Sequence, residues 1–159
     1  MSDSLIRLDD RELLAAIDRA IALLTRPREM MDAIGAQLEA NAQLRFETKT
    51  DPNGQPWQPL SPATIEIYQS EWFIEQNPEF RGGIPGSLLQ RTNLLRASLT
   101  HNTGEDWTEV GTSRATKGGR WQVGWLHETG TRRMPRRGIL LGNPTTGQLA
   151  SSDQADVLA

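Results

Sequence analysis

Two groups of residues in this 159-residue chain have types and spacing that could do chemistry. They are the adjacent pair His127 and Glu128, and the arginines Arg132, Arg133, Arg136 and Arg137, divided by Pro135. An imidazole beside a carboxylate suggests general acid–base work. Such a pair also needs an orienting group and a nucleophile or metal within hydrogen-bond reach, and neighbouring side chains leave most backbones in different directions. A packed, structural His127 is the favoured reading, and a small hydrolase using His127 and Glu128 is the alternative. There is no cysteine, which removes disulfides, thiolate zinc sites and cysteine nucleophiles, and His101 stands far from His127. Asp51, Asn53 and Gly54 open like a calcium loop but lack its later ligands, and the glycines around Lys117 lack the spacing of a phosphate loop. No catalytic, cofactor-binding or metal-ligating residue is assigned.

The arginines carry more information. Guanidinium groups suit carboxylates and phosphates through paired hydrogen bonds, and a proline between the two pairs favours an extended presentation over a solvated helix face. The expected use of Arg132, Arg133, Pro135, Arg136 and Arg137 is contact with another protein chain. Lining for passing DNA is the second use, and a DNA-binding accessory protein is a further alternative. Between Gly111 and Leu140 the basic residues Arg114, Lys117, Arg120 and the four arginines face Glu128 alone, although the whole chain has a formal charge of −3. The amino-terminal third leans acidic. Opposite signs at opposite ends suit head-to-tail contacts between copies, whereas a general nucleic-acid binder is more often basic throughout.

The elements that must position these residues follow from periodicity. With 36% hydrophobic residues, the chain is expected to form one domain. No apolar run approaches the roughly 20 residues that cross a bilayer, and the amino terminus lacks the pattern of a secretory signal, so a soluble protein of the cytoplasm is expected, with no membrane partner. Asp9 or Asp10 should cap a first helix with the stripe Leu13, Leu14, Ile17, Ile21 and Leu24. Pro27 should open a second with Met30, Met31, Ile34, Leu38, Ala42 and Phe46. The ordinary reading of both stripes is core packing between antiparallel helices, with a partner-binding face on the first as the minor one.

Asp51-Pro52-Asn53-Gly54 predicts a tight turn before Trp57, which should be pinned on the core. Ser61-Pro62 starts a third helix with Ile65, Tyr68, Trp72 and Glu75 on one side. Residues 77–86 read as a flexible loop. Thr92 or Asn93 should cap a short helix ending near Thr100, and a hairpin is expected from about Leu99 to Thr112. Trp121, Val123, Trp125 and Leu126 on one side and Ile139, Leu140 and Leu141 on the other should anchor the arginine loop on the core, with Gly130 as a stop. Helices first and strands later argue for an α+β fold, amino-terminal helices packed on a small antiparallel sheet. Its domain spans 1–142, and 143–159 is expected to be a flexible tail.

Three segments in order, RFETKTDPNGQPWQPLSPAT, LLQRTNLLRASL and WLHETGTRRMPRRGILLG, resemble the phage virion morphogenesis family of tail completion proteins from Mu-like phages. They match its aspartate-proline-glycine turn before tryptophan, its leucine-rich segment ending in Ser-Leu, and its His-x-x-Gly loop closing on Leu-Gly. Asn93 stands where the family usually has glycine, and Gly138-Ile139 replaces its usual proline-phenylalanine. The resemblance implies a structural protein without enzymatic activity or cofactor, acting in tail completion and head–tail joining. It also implies a ring, hexameric, at the neck of the virion, formed in the host cytoplasm. Other neck, connector and tail terminator or tube proteins would be its partners, with genomic DNA passing through the lumen. By the same resemblance Asp51, Gly54, Trp57, Thr92, Leu95, His127, Gly130, Pro135, Arg137 and Leu141 shape the fold or its contacts.

Overall fold

Ala42 and Phe46 have no exposed surface, and the other core residues gather on the helix face that carries them. A computed structural model of the chain describes residues 11–78, 88–89, 92–116 and 118–158. Pro27 opens the long helix α2 (Pro27–Thr48), where its missing N–H is one of the orphan donors of any helix start. Its ring disfavours helical angles at the preceding residue, and Arg26 accordingly takes φ −133° and ψ 59°. That one residue separates α2 from α1 (Arg11–Thr25). At its far end α2 stops where Lys49 adopts a left-handed φ of 58°, its N–H donating to the Arg45 carbonyl at 2.8 Å.

Strands β1 (Leu99–Thr103) and β2 (Thr108–Thr112) form the expected hairpin, antiparallel, with Leu99 opposite Thr112 and His101 opposite Val110. α2 crosses this hairpin closely because position 35 is glycine: a Cβ there would overlap Thr108 Oγ1 and lie 2.8 Å from His101 Cδ2. Polar contacts fix the crossing. His101 Nδ1 donates to Glu39 Oε2 at 2.8 Å, and Thr103 Oγ1 donates to Asp32 at 3.3 Å. Trp57 packs edge-on against Phe46 with ring centroids 5.6 Å apart, and Leu95, Leu99 and Ile139 complete the core.

The remaining elements are α3 (Pro62–Gln69), α4 (Glu71–Gln76), α5 (Leu94–Ala97), α6 (Val123–Thr129) and α7 (Ser151–Leu158). Among the described residues the fold is therefore α+β, seven helices with one two-stranded sheet. Ser61 caps α3 as its sequence demands, accepting from the Thr64 N–H at 3.2 Å.

Four expectations are corrected. The stripe of α1 is not core: Leu13, Leu14, Ile17 and Ile21 are 44–59% exposed, because α2 turns its buried positions Gly35, Ala42 and Phe46 toward the hairpin and Trp57. The third helix is two, since Ser70 is extended (φ −69°, ψ 144°) and caps α4 with its hydroxyl, so Trp72 points to solvent while Tyr68 meets Phe73. α5 stops at Ala97, where β1 is about to begin. Asn93 enters it with a positive φ of 56° and makes no side-chain cap.

The fourth concerns 143–159. This segment turns back, and α7 lies against α2. Asp153, 1% exposed, is paired through Oδ1 with Arg45 and accepts from Asn41 Nδ2 at 2.9 Å. A polar, aperiodic segment is ordered here by a buried ion pair with a residue 108 positions earlier. The expected cap at Asp9 or Asp10 and positions 79–86 of the expected flexible loop lie outside the described residues.

Candidate functional site

The segment after α6 is built around Glu128. Its carboxylate is buried and accepts the backbone N–H groups of three successive residues, Ile139 at 2.6 Å, Leu140, and Leu141 at 3.3 Å. Burial raises its pKa, and the three N–H donors and the Arg136 charge oppose that rise. The carboxylate thus acts as the anchor of the Ile139–Leu141 backbone. No hydrogen bond joins it to His127. That imidazole is partly buried, its Nδ1 has no partner among the described residues, and burial, then the Arg137 charge, lowers its pKa to about 4. It is neutral at pH 7. The acid–base pair proposed by adjacency is not assembled.

The four arginines divide into two kinds. Arg136 donates through Nε to the Glu128 carbonyl at 2.9 Å, through Nη1 to Asp51 Oδ2 at 3.1 Å, and through Nη2 to the Leu141 carbonyl. Arg137 is 5% exposed and donates to the carbonyls of Gln58 at 2.9 Å and Pro59 at 3.1 Å. Both were expected to face another chain and are instead turned inward, because the Asp51 turn and the Gln58-Pro59 segment bring acceptors to them. Arg132 and Arg133 are exposed, and neither guanidinium has a hydrogen-bond or ion-pair partner among the described residues. They sit at the tip of a tight turn in which Thr131 N–H donates to the Met134 carbonyl at 2.8 Å and Met134 N–H returns to Thr131 at 3.2 Å.

The other singled-out residues support this arrangement. Asp51 spends its second oxygen on its own turn, accepting from the N–H groups of Asn53 and Gln55 at 2.9 Å each, and Gly54 takes φ 77° there. Trp57 Nε1 donates to the Gly138 carbonyl at 3.0 Å. Gly130 ends α6 at φ 70°, where a Cβ would lie 2.9 Å from Arg136 N. Leu95 is core, Leu141 feeds Glu128, Pro135 is half-buried, and Thr92 is exposed beside α5.

Beside this segment lies a groove of about 950 Å³, whose lining combines the apolar Leu60, Leu88, Leu89, Val123 and Met134 with polar residues that include Thr64, Tyr68, Arg114 and Arg133. Trp121 and Trp125, expected to anchor the loop on the core, are each 53% exposed, and Arg120 stacks over the Trp121 ring at 5.5 Å. Val123, on the opposite side of α6, does the packing instead. The Arg45–Asp153 pair has no signal in the sequence. Among the described residues no three imidazole or carboxylate groups converge to hold a metal ion.

The sequence model of the phage virion morphogenesis family matches residues 8–146. The chain belongs to that family. Membership in the phage virion morphogenesis family connects it with phage virion assembly. A relative is the putative capsid assembly protein G of Escherichia phage Mu, 26% identical over 113 residues, which are 70% of this chain; the match spans 65% of the length of that protein. No solved structure matches this member of the phage virion morphogenesis family. Among its described residues no helix is long and apolar enough to cross a membrane.

Proposed function

We propose that the protein is a structural, non-enzymatic component of the phage tail and neck, which completes the tail and joins it to the head as a ring of copies packed head to tail. The observation that carries this reading is the division of the arginines. Arg136 and Arg137 fix the loop from within, and the tight turn at its tip holds the exposed Arg132 and Arg133 outward. Trp and Arg side chains exposed on adjoining segments are the residue types that dominate protein–protein contact energies, and Trp121, Trp125 and Arg120 add to the same region. The Mu relative is named for capsid assembly, and the head–tail junction is where a tail component meets the capsid. Virion neck, connector and tail terminator or tube proteins are the further partners on this reading, hexameric closure is the expected stoichiometry, and the DNA passes through the lumen without sequence readout.

The test is to image assembled particles carrying a tagged copy of this chain, alongside sedimentation of the purified protein. Localisation at the head–tail junction and a closed ring support the reading. A chain that is absent from particles and from their assembly intermediates removes it.

A further inference from the structure

We propose that α1 of one copy lays its apolar stripe in the arginine-bearing groove of the next copy. The inference rests on the head-to-tail reading above and names the two surfaces that would meet. The first is an amphipathic helix whose Leu14, Ile17 and Ile21 follow the i, i+3, i+7 spacing of a helix that docks into a groove, yet all three are exposed in the single chain. The second is the groove whose apolar lining, Leu60, Leu88, Leu89, Val123 and Met134, is interspersed with polar residues, and which is of a size that receives side chains of this kind.

Charge matches the two. From the amino terminus through residue 19 the chain carries Asp3, Asp9, Asp10, Glu12 and Asp18 against Arg7, Arg11 and Arg19, an acidic excess that comes from the residues preceding α1. The groove presents Arg114 and Arg133. Charges of opposite sign at a rim steer association and fix which end of a helix enters first.

Geometry makes the donor a second copy. Leu88, Leu89 and Val123 of the groove lining pack against the core cluster that holds Ala42 and Phe46, whereas α1 joins α2 at Arg26, about 24 to 30 Å away along the helix at 1.5 Å per residue. Ile17 lies only about 13 Å along α1 from that joint by the same rise. The stripe therefore falls short of its own groove. A helix that leaves one copy and fills a different surface on the next is a heterologous contact, the kind that generates rings when its rotation closes.

The absence of cysteine gives a clean test. Ile17→Cys in one full-length chain and Thr64→Cys, in the groove wall, in another are mixed and oxidised. The expected result is a disulfide-linked pair of the two chains, at least tenfold above a control that pairs Ile17→Cys with Glu105→Cys on the hairpin turn. A double variant, Ile17→Cys/Thr64→Cys, should give a ladder of linked copies. A closed monomer would mean that the chain fills its own groove, and linkage of Ile17→Cys chains to each other in preference would mean paired α1 helices; either overturns the inference. Leu14→Cys replaces Ile17→Cys if the latter fails to fold by circular dichroism. Sedimentation of the wild type separates the two readings. A ring without the cross-link removes this contact and keeps the ring, the cross-link without a ring keeps the contact and removes closure, and neither removes both.

Discussion

Arg136 Nη1 donates to Asp51 Oδ2 at 3.1 Å, across 85 residues, and so ties the turn before Trp57 to the loop after α6. The same guanidinium holds the Glu128 and Leu141 carbonyls, so the contact is part of a network and its members should not act independently. Arg136→Ala should cost about 2–4 kcal/mol, and Asp51→Ala about 1–3 kcal/mol, in urea unfolding. The double variant should cost less than the sum by about 1 kcal/mol or more. Strict additivity would show that the two side chains contribute separately.

The division of the arginines predicts opposite phenotypes for neighbouring residues. Arg132→Ser/Arg133→Ser should leave the urea midpoint unchanged and weaken assembly, read by sedimentation and by tail joining. Arg137→Ser removes a buried donor from two carbonyls and should lower the midpoint, corresponding to a loss of unfolding free energy of about 2–3 kcal/mol. Assembly that is indifferent to loss of Arg132 and Arg133 would contradict the proposed role of the tip.

His127 predicts acid lability. Its pKa falls from 6.5 to about 4 in the folded protein, so between those values the unfolded chain binds the proton more readily. Its neutral burial therefore stabilises fully above pH 6.5, and that stability is lost as pH falls toward 4, a contribution on the order of 3 kcal/mol. His101 and Glu128, both with raised folded pKa values, contribute with the opposite sign. The comparison must therefore be between wild type and His127→Leu across pH 4 to 7. The variant should lose less stability on acidification, and parallel curves would show that His127 does not titrate on unfolding.

Asp153→Ala should free α7. The change strands the Arg45 guanidinium, leaving it the Ile139 carbonyl at 2.8 Å and no carboxylate. Hydrogen exchange over 151–158 should rise by at least tenfold, with a global loss of about 3 kcal/mol if α7 unfolds with the rest. Unchanged protection would mean that backbone contacts alone hold the helix.

Local signals were readable in the sequence because the residues that make them also satisfy them. Ser61-Pro62 caps its own helix, Asp51 accepts from its own turn, and Asn93 accepts positive φ where the family usually has glycine. Periodicity said which face of α1 is apolar, but a stripe carries no information on whether the same chain covers it. Nor does a run of like charges say which members will find carbonyls. Arg137 does so only because Gln58 and Pro59, nearly 80 residues earlier, pass beside it. Glu128 looked like half of a reactive pair because adjacency is visible in a sequence, while its real partners, three N–H groups 11 to 13 residues on, depend on how the loop doubles back.

Arg26, the lone non-helical residue between α1 and α2, acts as an elbow if α1 is the arm that reaches the neighbouring molecule. The bend at that residue then sets the step from each subunit to the following one. A stiff elbow yields circles of a single size, while a slack one yields circles of mixed size or open spirals. The dihedral angles of one arginine would in this way govern the diameter of an entire assembly.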